Sequence, residues 1–135
     1  MAAPFIFIAT NRLKPGKLDA ERARVPGLVE FIETVEPDVL AFNEYANEEG
    51  TEVAVVQVHP NTDSFEFHME AVSERASKAY KETLDATTGI DVFGSPTPRI
   101  MEMLRQAAGS GVQYRVKLHH LGGFTRIGSS SHRIA

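Results

Sequence analysis

The segment from Val53 to Tyr80, VAVVQVHPNTDSFEFHMEAVSERASKAY, contains the transition on which the fold depends. Its first residues, through His59, alternate as in a strand and carry apolar side chains on both faces. Pro60-Asn61 is typical of a turn, and the residues after it have the spacing of an amphipathic helix. The segment therefore predicts a strand that ends at one histidine and a helix that carries a second, His68, in its second turn.

The helix is predicted to begin at Thr62 or Asp63 and to continue to about Asp85. Either of the first two residues can cap it, and Asp63 with Glu66 has the spacing of a capping box. Helical spacing is lost at Thr87-Thr88-Gly89, where we expect the helix to have ended.

Alternation of apolar side chains predicts three further long strands. They cover Phe5 to Leu13, Val39 to Ala46 and Val112 to His120, and a short apolar run extends from Ile90 to Phe93. A polar loop ending at Gly50 separates the strand of residues 39–46 from a strand predicted from Glu52 to His59. These two strands are therefore expected to form a hairpin.

Two further helices are predicted between the strands. Lys17 to Glu36 has helical spacing, but Pro26-Gly27 should kink or divide it because proline removes a backbone donor. In the other helix, Thr97 is the expected cap, Pro98 takes the first position and Gly109 follows the end.

This order of elements is that of the ferredoxin-like, split βαβ sandwich, an α+β fold. We expect a four-stranded antiparallel sheet with helices on one face and an extra helix before the last strand. The other face would still carry apolar side chains from the first three strands, and an apolar patch of that kind marks an interaction surface. The sequence therefore predicts a homodimer that forms through this sheet face.

Length and composition limit the possible classes of protein. A chain of 135 residues with a net charge of -4 predicts one globular domain, residues 1–121, followed by a flexible tail over residues 122–135. The absence of cysteine excludes disulfides and thiolate chemistry. The charge balance argues against nucleic acid, and no segment has the pattern of a membrane span or signal peptide. We expect a cytoplasmic protein without nucleic-acid or membrane partners.

The order of elements, with TNRLKPG at residues 10–16 and VHPNTDSFEFHM at residues 58–69, resembles the dimeric α+β barrel superfamily typified by antibiotic biosynthesis monooxygenases. The resemblance extends to about Leu118. It implies two sheets that face each other across a dimer, and a pocket between sheet and helices in each protomer. The stretch from Ile90 to Gly109 is longer than in the smallest members and is expected to form a lid or rim. The superfamily contains cofactor-independent oxygenases, haem-degrading enzymes, isomerases, decarboxylases and proteins without shown activity, so it leaves the function open.

Asn11 corresponds to an asparagine of the haem-degrading branch, in a similar Asn-Arg-Leu context. A strand asparagine can equally bond only to neighbouring backbone. That branch also has a tryptophan in the helix and an iron-binding histidine further along it, where this chain has His68 and Lys78. The iron ligand is missing, and we expect no haem and no other cofactor.

His68 is the predicted general base, because imidazole changes charge near neutral pH. Oxygenation without a cofactor also needs donors that hold the oxyanion left after deprotonation. Asn43 and Tyr45, which share a strand face, are the predicted catalytic partners, with Asn11 as a further polar group. The alternative is that Asn43 and Tyr45 lie in the dimer interface.

The predicted ligand-binding residues are Asn11, His59, Phe65, Met69 and Arg115. Phe65 and Met69 also fit an ordinary core stripe, and His68 also fits a buried structural histidine. His59 and His68 could contribute to a metal site, but their spacing matches no ligand motif and we expect no metal. The acidic residues around the hairpin are assigned to a solvated loop; they are Glu44, Glu48, Glu49 and Glu52.

These observations predict a ligand that is small and apolar or aromatic. The expected function is cofactor-independent monooxygenation, or a related proton transfer, on a small aromatic or polyketide-like compound. The alternative is a non-catalytic protein of the same fold that binds a small ligand or takes part in a stress response.

Overall fold

The computed structural model of the protein describes residues 3–126, and within them five strands form one mixed sheet in the order β2-β3-β1-β4-β5. The strands are β1 (Phe5–Leu13), β2 (Ala41–Ala46), β3 (Glu52–His59), β4 (Leu84–Phe93) and β5 (Gln113–Lys117). The helices described are α1 (Leu18–Val35), α2 (Thr62–Ala71), α3 (Ser73–Glu82) and α4 (Pro98–Ala108). The α+β class is as predicted.

The sheet differs from the predicted four-stranded antiparallel one. β4 begins at Leu84, where a helix was expected to end, and pairs antiparallel with β1. β1 is apolar on both faces and central, so its second backbone edge needs a partner, and β4 supplies it. β5 then pairs parallel with β4, because α4 forms the crossover that returns the chain in the same direction.

The helix predicted from Thr62 to about Asp85 is two helices. Val72 interrupts it between α2 and α3, with φ of -97° and ψ of 0°. The cap also differs, because Asn61 precedes α2 and its Oδ1 accepts a hydrogen bond from the Ser64 backbone N–H at 2.9 Å. Extended backbone at Asn61 lets its side chain reach that donor.

Other local predictions are confirmed. β1 and β3 have their expected ends, and β3 forms the predicted hairpin with β2. The Thr97 side chain caps α4 by accepting from the Ile100 backbone N–H at 3.1 Å, and Gly109 follows the helix. The predicted division of the first helix at Pro26 is wrong, since α1 continues through that residue.

The described helices contribute their buried side chains to one face of the sheet, which we call the inner face. On β1, β2 and β3 the inner face comprises Phe5, Phe7, Ala9, Asn11, Phe42, Glu44, Val53, Val55, Gln57 and His59. The opposite, outer face of the same strands comprises Ile6, Ile8, Thr10, Asn43, Tyr45, Ala54, Val56 and Val58. Its side chains are half-buried or exposed. The division into one covered face and one partly apolar, uncovered face follows the sequence prediction.

The stretch from Ile90 to Gly109 forms part of the core. Ile90 lies on β4, and α4 inserts Ile100 and Leu104 between the phenylalanines of the main apolar cluster. It is therefore a wall of the fold and not a separate lid. No helix within residues 3–126 has the length and apolar character that a membrane crossing requires.

Residues 122–126 belong to no helix or strand. The remainder of the predicted flexible tail, residues 127–135, lies outside the described residues, as do residues 1–2. The proposed domain limits of 1–121 therefore stay a prediction.

Candidate active site

A cavity of about 150 Å³ lies between the inner face and the helices. Ala9 and Val55, which are cross-strand neighbours, line its sheet side. Their inner-face neighbours two residues along the strands are larger: Phe7, Gln57 and Phe42. Because the side chains of Ala9 and Val55 are smaller, they leave space between the sheet and the helices. The polar side chains that line the cavity are Asn11, Arg24, Glu44, Gln57, His68, Tyr80 and Thr87.

His68 reaches the cavity from α2 and is only 3% exposed. Its Nδ1 lies 2.9 Å from Glu36 Oε1 and 3.0 Å from Glu36 Oε2. A carboxylate accepts hydrogen bonds, so Nδ1 carries the hydrogen. Nε2 has no hydrogen-bond partner among residues 3–126 and is the ring nitrogen left for a ligand. A carboxylate that orients an imidazole in this way prepares Nε2 to act as a base.

Glu36 is a functional candidate that the sequence reasoning missed. It follows the last residue of α1 and is buried, and 32 positions separate it from His68. The one local signal was its position, because a carboxylate at the carboxyl end of a helix opposes the helix dipole. Aromatic side chains enclose the pair: the Phe42 ring lies 5.8 Å and the Phe65 ring 6.3 Å from the His68 ring.

His59 is completely buried and does not line the cavity. Its Nε2 donates to Gln57 Oε1 at 2.9 Å, and its Nδ1 accepts from the Ser64 hydroxyl at 2.8 Å. Burial, with a smaller contribution from His68, lowers the pKa of His59 to about 3. His59 is therefore a neutral residue that ties β3 to the start of α2. Both of its nitrogens are occupied, and within residues 3–126 no three His, Asp or Glu side chains are grouped to hold a metal.

Asn11 is the inner-face residue of β1 that follows Phe7 and Ala9, and it is buried. Its Oδ1 accepts from the Tyr80 hydroxyl at 2.8 Å and from the Thr87 hydroxyl at 2.7 Å. The Tyr80 and Thr87 hydroxyls also contact each other, so their two hydrogens are shared among three contacts. Burial raises the pKa of Tyr80, which keeps the phenol protonated. The Asn11 amide nitrogen has no hydrogen-bond partner within the described chain, and Asn11 lines the cavity.

Glu44 is a second residue that the sequence reasoning misplaced. It was assigned to a solvated loop, yet it lies on the inner face, lines the cavity and has a side chain only 4% exposed. The other three hairpin glutamates are exposed, as expected. The difference is one of register, because Glu44 is inside β2 and alternates with the outward-facing Asn43 and Tyr45.

Glu44 lies beside a buried ion pair. Arg24 donates to both oxygens of Glu21, with Nε–Oε1 of 2.9 Å and Nη2–Oε2 of 2.6 Å, and Thr83 Oγ1 donates at 2.7 Å. Burial would raise the pKa of Glu21, but hydrogen bonds from Arg24, Glu44 and Thr83 outweigh it and lower the value to about 2. Burial and the Glu21 carboxylate raise the pKa of Glu44 to about 9. Glu44 is thus an uncharged carboxylic acid at neutral pH.

The predicted residues do not all meet at the cavity. Asn43 and Tyr45 lie on the outer face, and Tyr45 is 65% exposed. Arg115 is also on the outer side, where its guanidinium binds Asp91 at 2.7 and 3.1 Å. The structure therefore separates all three side chains from the cavity that His68 lines.

Among the predicted ligand-binding residues, Asn11 and Met69 line the cavity. Phe65 is buried in the main apolar cluster, where it packs on Phe5 and Phe7. The cavity thus combines His68, Asn11 and Met69 from the prediction with Glu44, Arg24 and Tyr80, which the prediction did not include.

Comparison of the sequence with protein-family models and with curated proteins gives no match. Solved structures do match. MupZ from Pseudomonas fluorescens is 17% identical, covers 100% of this chain and 95% of its own, and superimposes with a TM-score of 0.65. PA3566 from Pseudomonas aeruginosa is 21% identical, over 68% of this chain and 93% of its own, with a TM-score of 0.57.

A crystal structure of an antibiotic biosynthesis monooxygenase is 16% identical, over 69% of this chain and 99% of its own, with a TM-score of 0.53. At such identities the likeness establishes a shared fold and leaves the reaction open. The chain therefore shares its fold with these proteins, including the antibiotic biosynthesis monooxygenase, in agreement with the resemblance seen in the sequence.

Proposed function

We propose that the protein is a cofactor-independent monooxygenase, or a related proton-transfer enzyme, that acts on a small aromatic or polyketide-like compound. One observation carries this proposal: the buried Glu36 carboxylate holds Nδ1 of His68, while Nε2 is left for the apolar cavity. Such a pair fixes the tautomer and stabilises the imidazolium that forms when Nε2 takes a proton.

The cavity limits the size and polarity of the substrate. A volume of about 150 Å³ equals that of an engineered apolar cavity that binds benzene. Most of the wall is apolar, with Phe7, Leu28, Val72 and Ile90 among the lining residues. A compound with one aromatic ring, free or fused to one small ring, fits this space, and a larger polycyclic compound requires α4 or α1 to move.

In the proposed reaction, Nε2 of His68 removes a proton from an acidic carbon or phenolic hydroxyl of the substrate. The anion that results reduces dioxygen. Where a CH₂ group becomes a carbonyl, one oxygen atom enters the product and the other leaves as water. Asn11 has the position to donate from its amide nitrogen to the oxyanion.

We also propose that the outer face packs on a second copy of the chain. The face is partly apolar, with Ile6, Ile8, Val56 and Val58 at its centre, and no described helix covers it. A two-fold axis through such a face makes each patch its own complement. Asn43 and Tyr45 then belong to the interface, the alternative that their pattern allowed.

A second candidate function is binding without catalysis. It is favoured by the Asn11, Tyr80 and Thr87 cluster, in which Asn11 Oδ1 and the two hydroxyls bond to one another and need no reacting substrate. A small-ligand-binding or stress-related protein of this fold would use the same cavity.

The test replaces His68 by glutamine, which retains a donor for Glu36 but cannot act as a base. Purified wild type and His68→Gln are assayed for oxygen consumption and product formation with a panel of single-ring hydroquinones and of anthrone-like ketones. General base catalysis contributes about 100-fold or more, so we expect at least that loss. His119→Gln is the matched control, because it makes the same substitution at an exposed histidine away from the cavity. If His68→Gln turns over substrate like the wild type, the catalytic proposal fails; if neither protein turns over a substrate that both bind, binding alone remains.

A further inference from the structure

We propose that Glu44 is the acid partner of His68: it donates a proton to a carbonyl oxygen of the bound substrate while His68 removes a proton from the adjacent carbon. This inference rests on the proposed function and narrows it. The substrate class becomes a ring-sized ketone that can form an enol.

The register of β2 positions the two groups. Phe42 and Glu44 are two residues apart on the inner face, and such neighbours along a strand are about 7 Å apart. The Phe42 ring lies 5.8 Å from the His68 ring. Glu44 opposes Val55 across the hairpin, and Val55 lines the cavity with Ala9. His68 and Glu44 therefore line the same cavity from two different elements, α2 and β2.

The surroundings of Glu44 explain why it holds a proton. Arg24 is the nearest cation, with Nη2 at 3.9 Å from Glu44 Oε1, but the same Nη2 lies 2.6 Å from Glu21. Two buried carboxyl groups that share one cation retain one negative charge between them, and the proton stays on the more weakly paired group. Glu44 is that group, in agreement with its pKa of about 9.

Glu21 does not depend on Glu44 alone. It receives hydrogen bonds from both Arg24 and Thr83 besides the one from Glu44, so the Glu44 hydroxyl can turn from Glu21 to a ligand without leaving that carboxylate unpaired. A second carboxyl group in the same apolar wall adds a desolvation cost and makes no ion pair of its own at hydrogen-bonding distance. A polar group kept in a cavity under those conditions indicates a role toward the ligand.

The proton transfers balance within the site. The C–H bond next to the carbonyl breaks, its proton bonds to Nε2 of His68, and its electron pair forms a C=C bond. The carbonyl oxygen takes the proton of Glu44 and becomes an enol hydroxyl. Glu44 is left as a carboxylate near Arg24, and His68 as an imidazolium held by Glu36. No oxidant is needed for this step, and the electron-rich enol is the species that dioxygen would then oxidise.

The first experiment measures hydrogen–deuterium exchange at the α-carbons of 2-indanone by proton NMR in D₂O. Wild type is compared with Glu44→Gln, His68→Gln and, as the matched control, Glu52→Gln at an exposed glutamate of the same hairpin. We expect Glu44→Gln and His68→Gln each to lower the exchange rate about 100-fold, and the control to leave it unchanged. Loss in His68→Gln alone overturns the role of Glu44 and leaves the proposed function standing. Wild-type exchange that neither cavity variant reduces overturns both.

The second experiment needs no turnover. The infrared carbonyl stretch of bound 2-indanone is compared among wild type, His68→Gln and Glu44→Ala. A hydrogen bond from Glu44 lowers this frequency, so we expect the same lowered value in wild type and His68→Gln and a higher value in Glu44→Ala. Equal frequencies in wild type and Glu44→Ala overturn the inference, and so does failure of wild type to bind 2-indanone.

Discussion

The two faces of the sheet carry similar residue types in different physical states. On the inner face, Asn11, Glu44 and His59 are buried, and each has hydrogen-bonding neighbours that fix its orientation or protonation. On the outer face, Asn43 and Tyr45 are exposed beside apolar residues. Residue identity therefore says little about chemistry in this fold, and the helices that cover one face create the titratable site.

The largest difference in the free energy of unfolding is expected between variants of two ion pairs on α1. Arg24–Glu21 and Arg22–Asp19 have the same i,i+3 spacing, but Glu21 is 2% exposed and Asp19 is 95% exposed. Arg24→Met leaves a buried carboxylate without its cation, which costs about 3–5 kcal/mol. Arg22→Met should change the free energy of unfolding by about 0.5 kcal/mol or less. Urea unfolding at pH 7 measures both, and equal losses would contradict the buried state of the Glu21 cluster.

The next effect is a dependence of stability on pH. The pKa of Glu44 is raised from 4.5 to about 9 in the folded protein, so between these values the folded state binds more protons than the unfolded state. Its contribution to stability therefore decreases as pH rises through this window. Glutamine at this position cannot ionise, so the stability of Glu44→Gln does not decrease for this reason.

Relative to wild type, Glu44→Gln should gain several kcal/mol of unfolding free energy between pH 5 and pH 9, at up to about 1.4 kcal/mol for each pH unit. Denaturant unfolding of both proteins at each pH gives the difference, in which the contribution from His59 cancels. A difference that stays constant with pH would show that Glu44 is ionised in the folded protein.

A pair of asparagines compares the two faces directly. Asn11→Ala removes the acceptor of the Tyr80 and Thr87 hydroxyls, and unsatisfied buried donors cost about 1–3 kcal/mol. Asn43→Ala, on the exposed side of β2, should change the free energy of unfolding of one chain by less than about 0.5 kcal/mol. Thermal and urea unfolding of the two variants tests this. A larger loss for Asn43→Ala would reverse the assignment of the faces.

Sequence reasoning succeeded where the determinants are local. The alternation of β1 and β3, the turn before α2 and the Thr97 cap each depend on a few adjacent residues. It failed for the first half of β4, because Asp85 and Gly89 are poor strand signals and the strand exists through pairing with β1.

The same reasoning named some of the side chains that line the cavity. His68 was named from its position on the helix and Asn11 from the family resemblance. The side of β2 could not be chosen, because both of its faces mix apolar and polar residues and a one-residue shift exchanges them. The pairing of Glu36 with His68 depends on how α1 lies against α2, which no local pattern contains.

The smallest effect on the folding of one chain, and the sharpest test of the outer face, comes from Val56→Lys. Val56 pairs with Ile8 and Asn43 at the centre of that face, and a lysine there can extend into solvent, so a single chain should lose about 0.5 kcal/mol or less. A charge at the centre of a two-fold interface would instead face its own copy and lose its hydration.

We expect a solution mass of two chains for wild type at micromolar concentration and of one chain for Val56→Lys. Ser77→Lys, which adds the same charge at an exposed position of α3, should keep the wild-type mass. A wild-type mass of one chain would contradict the proposed dimer. The outer face would then remain in contact with water, and its apolar side chains would be shielded only by their neighbours on the same face.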